Sequence, residues 1–190
     1  IFNYMGFEPS WENKINIHVG GAYGDKESAL SRFCTNFQLL ESHTKKRLTV
    51  ENDDRANLYS VLDLYEGVHL KVGIPIVFDY HHYKFNTGNQ SEQEALLLAL
   101  SSWPDNVTPI FHYSESRTLE QGGDKESPAH SDFIHGSFDT YGKSFDIVFE
   151  AKKKELSVQS FLAENPEWCL LGKQKSKQKQ AQQAVCHMAF

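Results

Sequence analysis

The chain has 190 residues, 39% of them hydrophobic and 13% aromatic, with a formal net charge of -6. That length suits one core or a core plus a tail. No apolar run reaches the roughly 18 residues of a membrane span, no signal-peptide pattern is present, and the acidic balance excludes nucleic-acid binding by bulk charge alone.

The three cysteines, Cys34, Cys169 and Cys186, make no CxxC or Cys/His zinc spacing. A reduced protein inside the cell, not a secreted one, is expected. The chain opens Ile1-Phe2-Asn3 without Met, which fits processing and, more readily, a fragment of a longer protein.

In chain order, INIHV from Ile15 predicts a first strand, and Gly20, Gly21 and Gly24 after it let a tight loop approach a ligand closely. Asp25 is a plausible N-cap for a helix with Leu30, Phe33, Phe37 and Leu40 on one face. LTVE from Leu48 is a second strand, followed after Asp54 by Leu58, Val61, Leu62 and Tyr65 at helical spacing. IPIVFD from Ile74 is a third. Ser91 and Glu94 form a capping-box pattern ahead of Ala95, Leu96, Leu97 and Leu100. VTPIFH from Val107 is a fourth strand, the polar run Glu115 to Pro128 a surface excursion, and FDIVFE from Phe145 a fifth strand. Val158, Phe161 and Leu162 then mark a helix after Ser157. The Lys/Gln-rich GKQKSKQKQAQQ, Gly172 to Gln183, has no apolar face, so residues 1–171 are expected to fold and 172–190 to form a disordered tail. Strand and helix alternating at intervals of roughly 30 residues is the βαβ rhythm of an α/β protein with a parallel sheet.

The five strands end in or run into His18, Glu51, Asp79, His112 and Glu150. Chemistry in parallel α/β folds gathers at the carboxyl ends of strands. A half-buried carboxylate there needs a cation to offset its desolvation. Two imidazoles with three carboxylates suit a divalent ion such as Zn2+ or Mn2+. His82, three residues after Asp79, and His130, in PAHSDF, are candidates for further ions. His81 and His82 point to opposite sides if the chain is still extended there, so only one of the two is expected to be a ligand.

Plainer readings stand beside these. A single strand-end His is more often structural than a ligand, and Glu51 could pair with Arg47 or Arg55. Asp53 and Asp54 read as helix caps, and Asp132 as either a ligand or a cap. His43, His69, His135 and His187 read as surface or packing residues. Lys152, Lys153 and Lys154 form a solvated run or contact phosphate. Tyr23, Tyr80, Tyr83 and Tyr113 either pack or stack on bases.

The strings HVGGAYGDK with a following RF, LTVENDD, PIVFDYHH, FHYSES, AHSDFI and VFEAKKKE, spread from Ile15 to Glu155, together resemble the UV-damage endonuclease family. The resemblance implies a TIM-type (β/α) barrel, similar in layout to endonuclease IV, that nicks double-stranded DNA on the 5′ side of UV photoproducts. It implies up to three divalent ions, commonly Mn2+ with Mg2+, Co2+ or Zn2+ as alternatives. Glu51 would bridge two of them, one shared with His18 and the other with Asp79, His112 and Glu150; His82 and His130 would take a third. By this likeness Glu51, Asp79, His112 and Glu150 are the catalytic set, and Tyr23, Tyr113 and Lys152 the expected DNA contacts. The chain departs from the pattern at two points. Five βα units stand where such a barrel has eight strands and about 250 residues, so the N-terminal units are expected to be absent. Ile110 stands where the family usually has a lysine that helps to hold metal.

These implications make the chain a metal-dependent DNA-repair endonuclease of the cytoplasm, or of the nucleus in a eukaryote, with no membrane partner. Two alternatives remain: a xylose-isomerase-like, metal-dependent sugar isomerase, and an inactive barrel fragment whose open strand edges pair with another chain.

Overall fold

The protein is described here by a computed structural model covering residues 1–166 and 168. Cys169, Cys186, His187 and the Lys/Gln-rich run lie outside the described residues. Two compact units share the chain: Ile1–Phe78 with His82–Thr108, and Asp79–His81 with the residues from Pro109 onward. Both are α/β with parallel strand pairing. Among the described residues no helix is long and apolar enough to cross a membrane.

The first unit contains β1 (Ile15–Ile17), α1 (Lys26–Leu39), α2 (Ser42–Lys45), β2 (Leu48–Glu51), α3 (Val61–Leu64), a π-helical turn (Tyr65–His69), α4 (Leu70–Val72) and β3 (Ile76–Val77). Helix α5 (Tyr80–Phe85) follows, its first two residues counted with the second unit, and then α6 (Glu92–Ser101). The strands pair in the order β1-β2-β3, with Ile17 opposite Val50 and Glu51 opposite Val77. Apolar side chains explain the middle position of β2: Val50, Ile76 and Val77 are wholly buried, as are Leu64, Val68, Leu96 and Ala99 of the helical segments.

The caps follow the sequence at two helices and depart from it at a third. The Asp25 carboxylate accepts the Ser28 N–H, and Ser91 with Glu94 closes a reciprocal capping box at α6. The helix expected after Asp54 instead starts at Val61, because Ser60 and Asp63 form a capping box of their own. Neither Asp53 nor Asp54 caps a helix; Asp54 faces Arg55 at 3.9 Å. His81 and His82 sit on α5 rather than in extended chain, with His81 buried and His82 half-buried.

Helix α1 presses against the π turn so closely that a Cβ on Gly67 would lie 2.5 Å from the Leu30 Cδ1. At the same seam the buried Cys34 thiol donates to the Gly67 carbonyl. Burial pushes this thiol's pKa up.

The second unit contains β4 (Ile110–Tyr113), α7 (Thr118–Gln121), β5 (Asp146–Phe149) and α8 (Glu155–Glu164). Strands β4 and β5 run parallel, with His112 opposite Val148. Phe111, Phe145, Ile147 and Phe161 form its core. The loop before β5 is tied down by two carboxylates. Buried Glu115 accepts the N–H groups of His135 and Gly136 and the Tyr113 hydroxyl. Glu120 accepts the N–H groups of Asp132 and Phe133 and lies 2.7 Å from the His135 Nε2.

Arg47, 2% exposed, does not serve a carboxylate at the strand ends but holds the N-terminal segment. Its Nη1 donates to the Asn13 carbonyl at 3.1 Å, and its Nη2 to the Asn3 Oδ1 at 3.0 Å and the Phe7 carbonyl. The guanidinium carbon also lies 5.1 Å from the centre of the Phe2 ring. Arg47→Ala strips these acceptors of a charged donor and should destabilise the chain by about 2–4 kcal/mol in denaturant unfolding, with faster proteolysis before Ile15; an unchanged midpoint would contradict this role.

Glu120 yields a pH dependence. Burial pushes its carboxyl upward, but the Asp132 N–H, His135 and the Phe133 N–H outweigh that, and the net shift is below the usual carboxylate range. Its contribution is thus complete above the ordinary carboxylate pKa and lost as pH falls through the lowered value. Amide exchange at Asp132 and Phe133 should be slow at neutral pH and quicken on acidification, whereas Glu120→Ala should exchange quickly at both.

Candidate metal centre

The first unit brings three of the expected residues together. His18 follows the last residue of β1, Glu51 ends β2, and His82 lies on α5. One ligand atom from each falls within 4.8 Å of the others. The β1–β2 register, continued by one residue, sets His18 level with Glu51. Glu51 is only 4% exposed, so its partners decide its chemistry. Its Oε1 lies 3.7 Å from the His18 Nε2 and 3.1 Å from the His82 Nδ1. Its Oε2 accepts the Asn16 side-chain amide, whose own Oδ1 accepts the Thr49 hydroxyl at 3.0 Å. The His82 Nδ1 is also 2.9 Å from the Asn52 carbonyl.

Asp53 adds a second carboxylate, its Oδ1 lying 3.0 Å from the His18 Nδ1. This hydrogen bond is the main reason the His18 pKa is raised above its ordinary value. Burial pulls the pKa down, the charges of Glu51 and Asp53 raise it, and His82 lowers it.

The second unit groups Asp79, His112 and Glu150, again with one ligand atom from each within 4.8 Å of the others. Asp79 and His112 face one another across an isolated parallel bridge. The His112 Nδ1 lies 3.0 Å from the Glu150 Oε1, and the Glu150 N–H donates to the Tyr113 carbonyl. Asp79 is wholly buried and His112 9% exposed, while Glu150 is half-buried. His130 belongs to neither group among the described residues. Its Nδ1 lies 2.5 Å from the Glu150 carbonyl and 4.0 Å from the Glu150 Oε2, and its ring meets His81 edge-on.

Both groups fit a divalent ion. Bonds of about 2.1 Å from one ion to imidazole nitrogen and carboxylate oxygen place ligand atoms about 3–4 Å apart. The donor set, nitrogen with hard oxygen and no thiolate, suits Mn2+, Zn2+, Co2+ or Mg2+ more than a soft ion.

The remaining candidates divide by burial. Tyr113 is 5% exposed and packs on Phe138, with its hydroxyl on Glu115 and the Ser137 carbonyl, which is a core position and not a DNA-contact one. Tyr80 is buried too, and the Tyr83 hydroxyl donates to the Gln90 carbonyl. Tyr23 is 90% exposed with φ 52°, between glycines, in the loop after His18. Lys152 and Lys154 are exposed just beyond Glu150; Lys153 faces Asp132 at 3.6 Å, so Asp132 is neither cap nor member of a donor group among the described residues. Sequence reasoning missed Asn16, Thr49 and the role of Asp53. Asn16 had a signal: it is the polar residue inside INIHV, two before His18 and so on the same strand face.

A family model described as UV-endonuclease UvdE matches residues 1–177. The UV DNA damage endonuclease of Bacillus mycoides is 38% identical over 173 residues, 86% of this chain and 51% of its own. That of Bacillus cereus strain B4264 is 36% identical over 159 residues, 79% and 48% of the two chains. The crystal structure of SacUVDE superposes with a TM-score of 0.69 at 33% identity, covering 87% of this chain and 55% of that one. The chain therefore spans about half the length of the relatives it matches, and it belongs to the UV-endonuclease UvdE family.

Proposed function

We propose that this chain carries the catalytic metal ligands of a DNA-repair endonuclease that nicks the strand 5′ to UV photolesions in double-stranded DNA. The observation that carries the reading is the pair of mixed His/carboxylate groups at strand ends and on α5, His18–Glu51–His82 and Asp79–His112–Glu150, in a chain of the UvdE family. His130, which lies 4.0 Å from the Glu150 Oε2, is the further ligand of this reading. The parallel βαβ order supports a (β/α) barrel as the architecture, and DNA as substrate supports a compartment that holds DNA.

Divalent ions, Mn2+ first among them, would supply Lewis acidity, lowering the pKa of water towards neutrality and offsetting charge on a phosphodiester. The residues themselves hold and orient. Glu51 and Asp79 are desolvated, so cations bind them more strongly than they would bind exposed carboxylates. Asn16, itself bonded to Thr49, fixes Glu51 before any ion arrives, so little ordering cost falls on binding there. An acidic chain also needs local positive charge to meet a phosphate backbone, which ions together with Lys152 and Lys154 provide. Tyr23, exposed on its loop, offers a ring face on which a nucleotide can stack. Lesion selectivity needs no base reading, because a weakly stacked duplex costs less to bend and open.

Two experiments follow. Supplied with Mn2+, the protein should convert UV-irradiated supercoiled plasmid to open circles and leave unirradiated plasmid intact. Chelation should stop this, and Glu51→Gln should slow it by at least about a hundredfold at an unchanged melting temperature. Equal nicking of both plasmids, or full activity in Glu51→Gln, would defeat the reading. Lys152→Ala should weaken binding to irradiated and unirradiated duplex alike and lower the slope of log K against log salt by about one; an unchanged slope would remove Lys152 from the interface.

A further inference from the structure

We infer that Asp53 is a positioning residue that fixes the His18 ring in its Nδ1–H form and so makes the Nε2 the atom offered to a metal ion. This rests on the reading that His18 and Glu51 hold a divalent cation, and it adds a residue that reading does not contain.

A neutral imidazole carries one N–H, and a carboxylate can only accept. The 3.0 Å approach of the Asp53 Oδ1 to the His18 Nδ1 therefore favours the hydrogen on Nδ1, since a bare lone pair there would face a carboxylate. In the neutral ring the opposite nitrogen, Nε2, keeps its lone pair and lies 3.7 Å from the Glu51 Oε1. A ring lone pair and a carboxylate oxygen this close repel, and a proton or a metal cation offsets that. The ring nitrogen a histidine gives to a metal is set by the bond the other nitrogen makes, commonly to a carboxylate.

Asp53 is built for this position and not for a helix cap. It is 6% exposed, and its backbone N–H donates to the Tyr59 carbonyl at 2.8 Å. Its Oδ2 lies 3.4 Å from the Tyr59 N–H, so the loop from Asn52 to Ser60 closes on the same carboxylate that reaches His18. His18 itself is exposed, the most exposed of its group, and so depends most on a fixed partner for its orientation. Glu51 has Asn16 and Thr49 in the same role, and His82 has the Asn52 carbonyl. Each member of the group is thus oriented by a different neighbour.

The test uses the full chain, metal-free and then titrated with Mn2+. Nitrogen NMR of the ring, at a pH where His18 is neutral, should show the Nδ1–H tautomer in the wild type. Asp53→Asn keeps the volume and can still accept the Tyr59 N–H, but its amide can donate to Nδ1 and turn the ring to the Nε2–H form. Mn2+ affinity, read from the free-ion EPR signal, should then fall 10- to 100-fold. Asp53→Ala should show a loss of the same order, and the melting temperature in chelator reports any structural damage separately. An Nε2–H His18 in the wild type, or Asp53→Asn with unchanged tautomer and unchanged Mn2+ affinity, overturns the inference. Should the wild type take up no Mn2+, the metal reading fails on its own, and the tautomers still decide whether Asp53 sets the ring.

Discussion

The first unit is organised around one buried carboxylate. Glu51 sits at the end of the central strand of a three-stranded sheet, only 4% exposed and so largely cut off from water. An ionised group in that position is tolerable only if its surroundings supply donors or positive charge. The chain answers with Asn16 on one oxygen and two imidazoles near the other. A pairing with Arg47 would have neutralised the carboxylate permanently; Arg47 is instead committed to the backbone of the N-terminal segment. What surrounds Glu51 is therefore reversible in charge, since imidazoles can be neutral and can share a cation.

The second unit repeats the logic with a different chain topology. Asp79 lies two residues beyond β3, His112 within β4 and Glu150 one residue beyond β5, so the group depends on strand register as much as on residue type. A one-residue slip of β5 against β4 would turn the side chains of the slipped strand to the other face and carry Glu150 away from His112. Phe111, Phe145 and Ile147 guard against that slip, because their burial holds in one register only. Core packing and donor geometry are in this sense the same requirement.

Much of this was legible in the sequence, for physical reasons. Four of the five strands lie inside the apolar runs and β4 overruns its run by Tyr113 alone, since burial on both faces leaves little choice but Ile, Val, Leu and Phe. The Asp25 cap and the Ser91–Glu94 box are local, so three residues suffice to reveal them. The strand-end donors were legible because charge at the end of an apolar run is rare. Asp53 was not. Its partner His18 stands 35 positions earlier, and an acidic residue before a helical pattern looks like a cap until Ser60 and Asp63 are seen to take that place. The burial of Tyr113 was equally hidden, because an aromatic beside a ligand position reads the same whether it faces solvent or Phe138.

The seam between α1 and the π turn has a bearing on chemical ageing. Gly67 leaves no space there for even a methyl group, and the Cys34 sulfur rests on its carbonyl. An oxygen atom added to that sulfur would have nowhere to go without prising the helix from the turn. The same enclosure shields the thiol and keeps it protonated, and thiolate is the form that peroxide attacks. Oxidant injury at this point would therefore follow spontaneous opening of the seam, at a pace set by how often α1 lifts away.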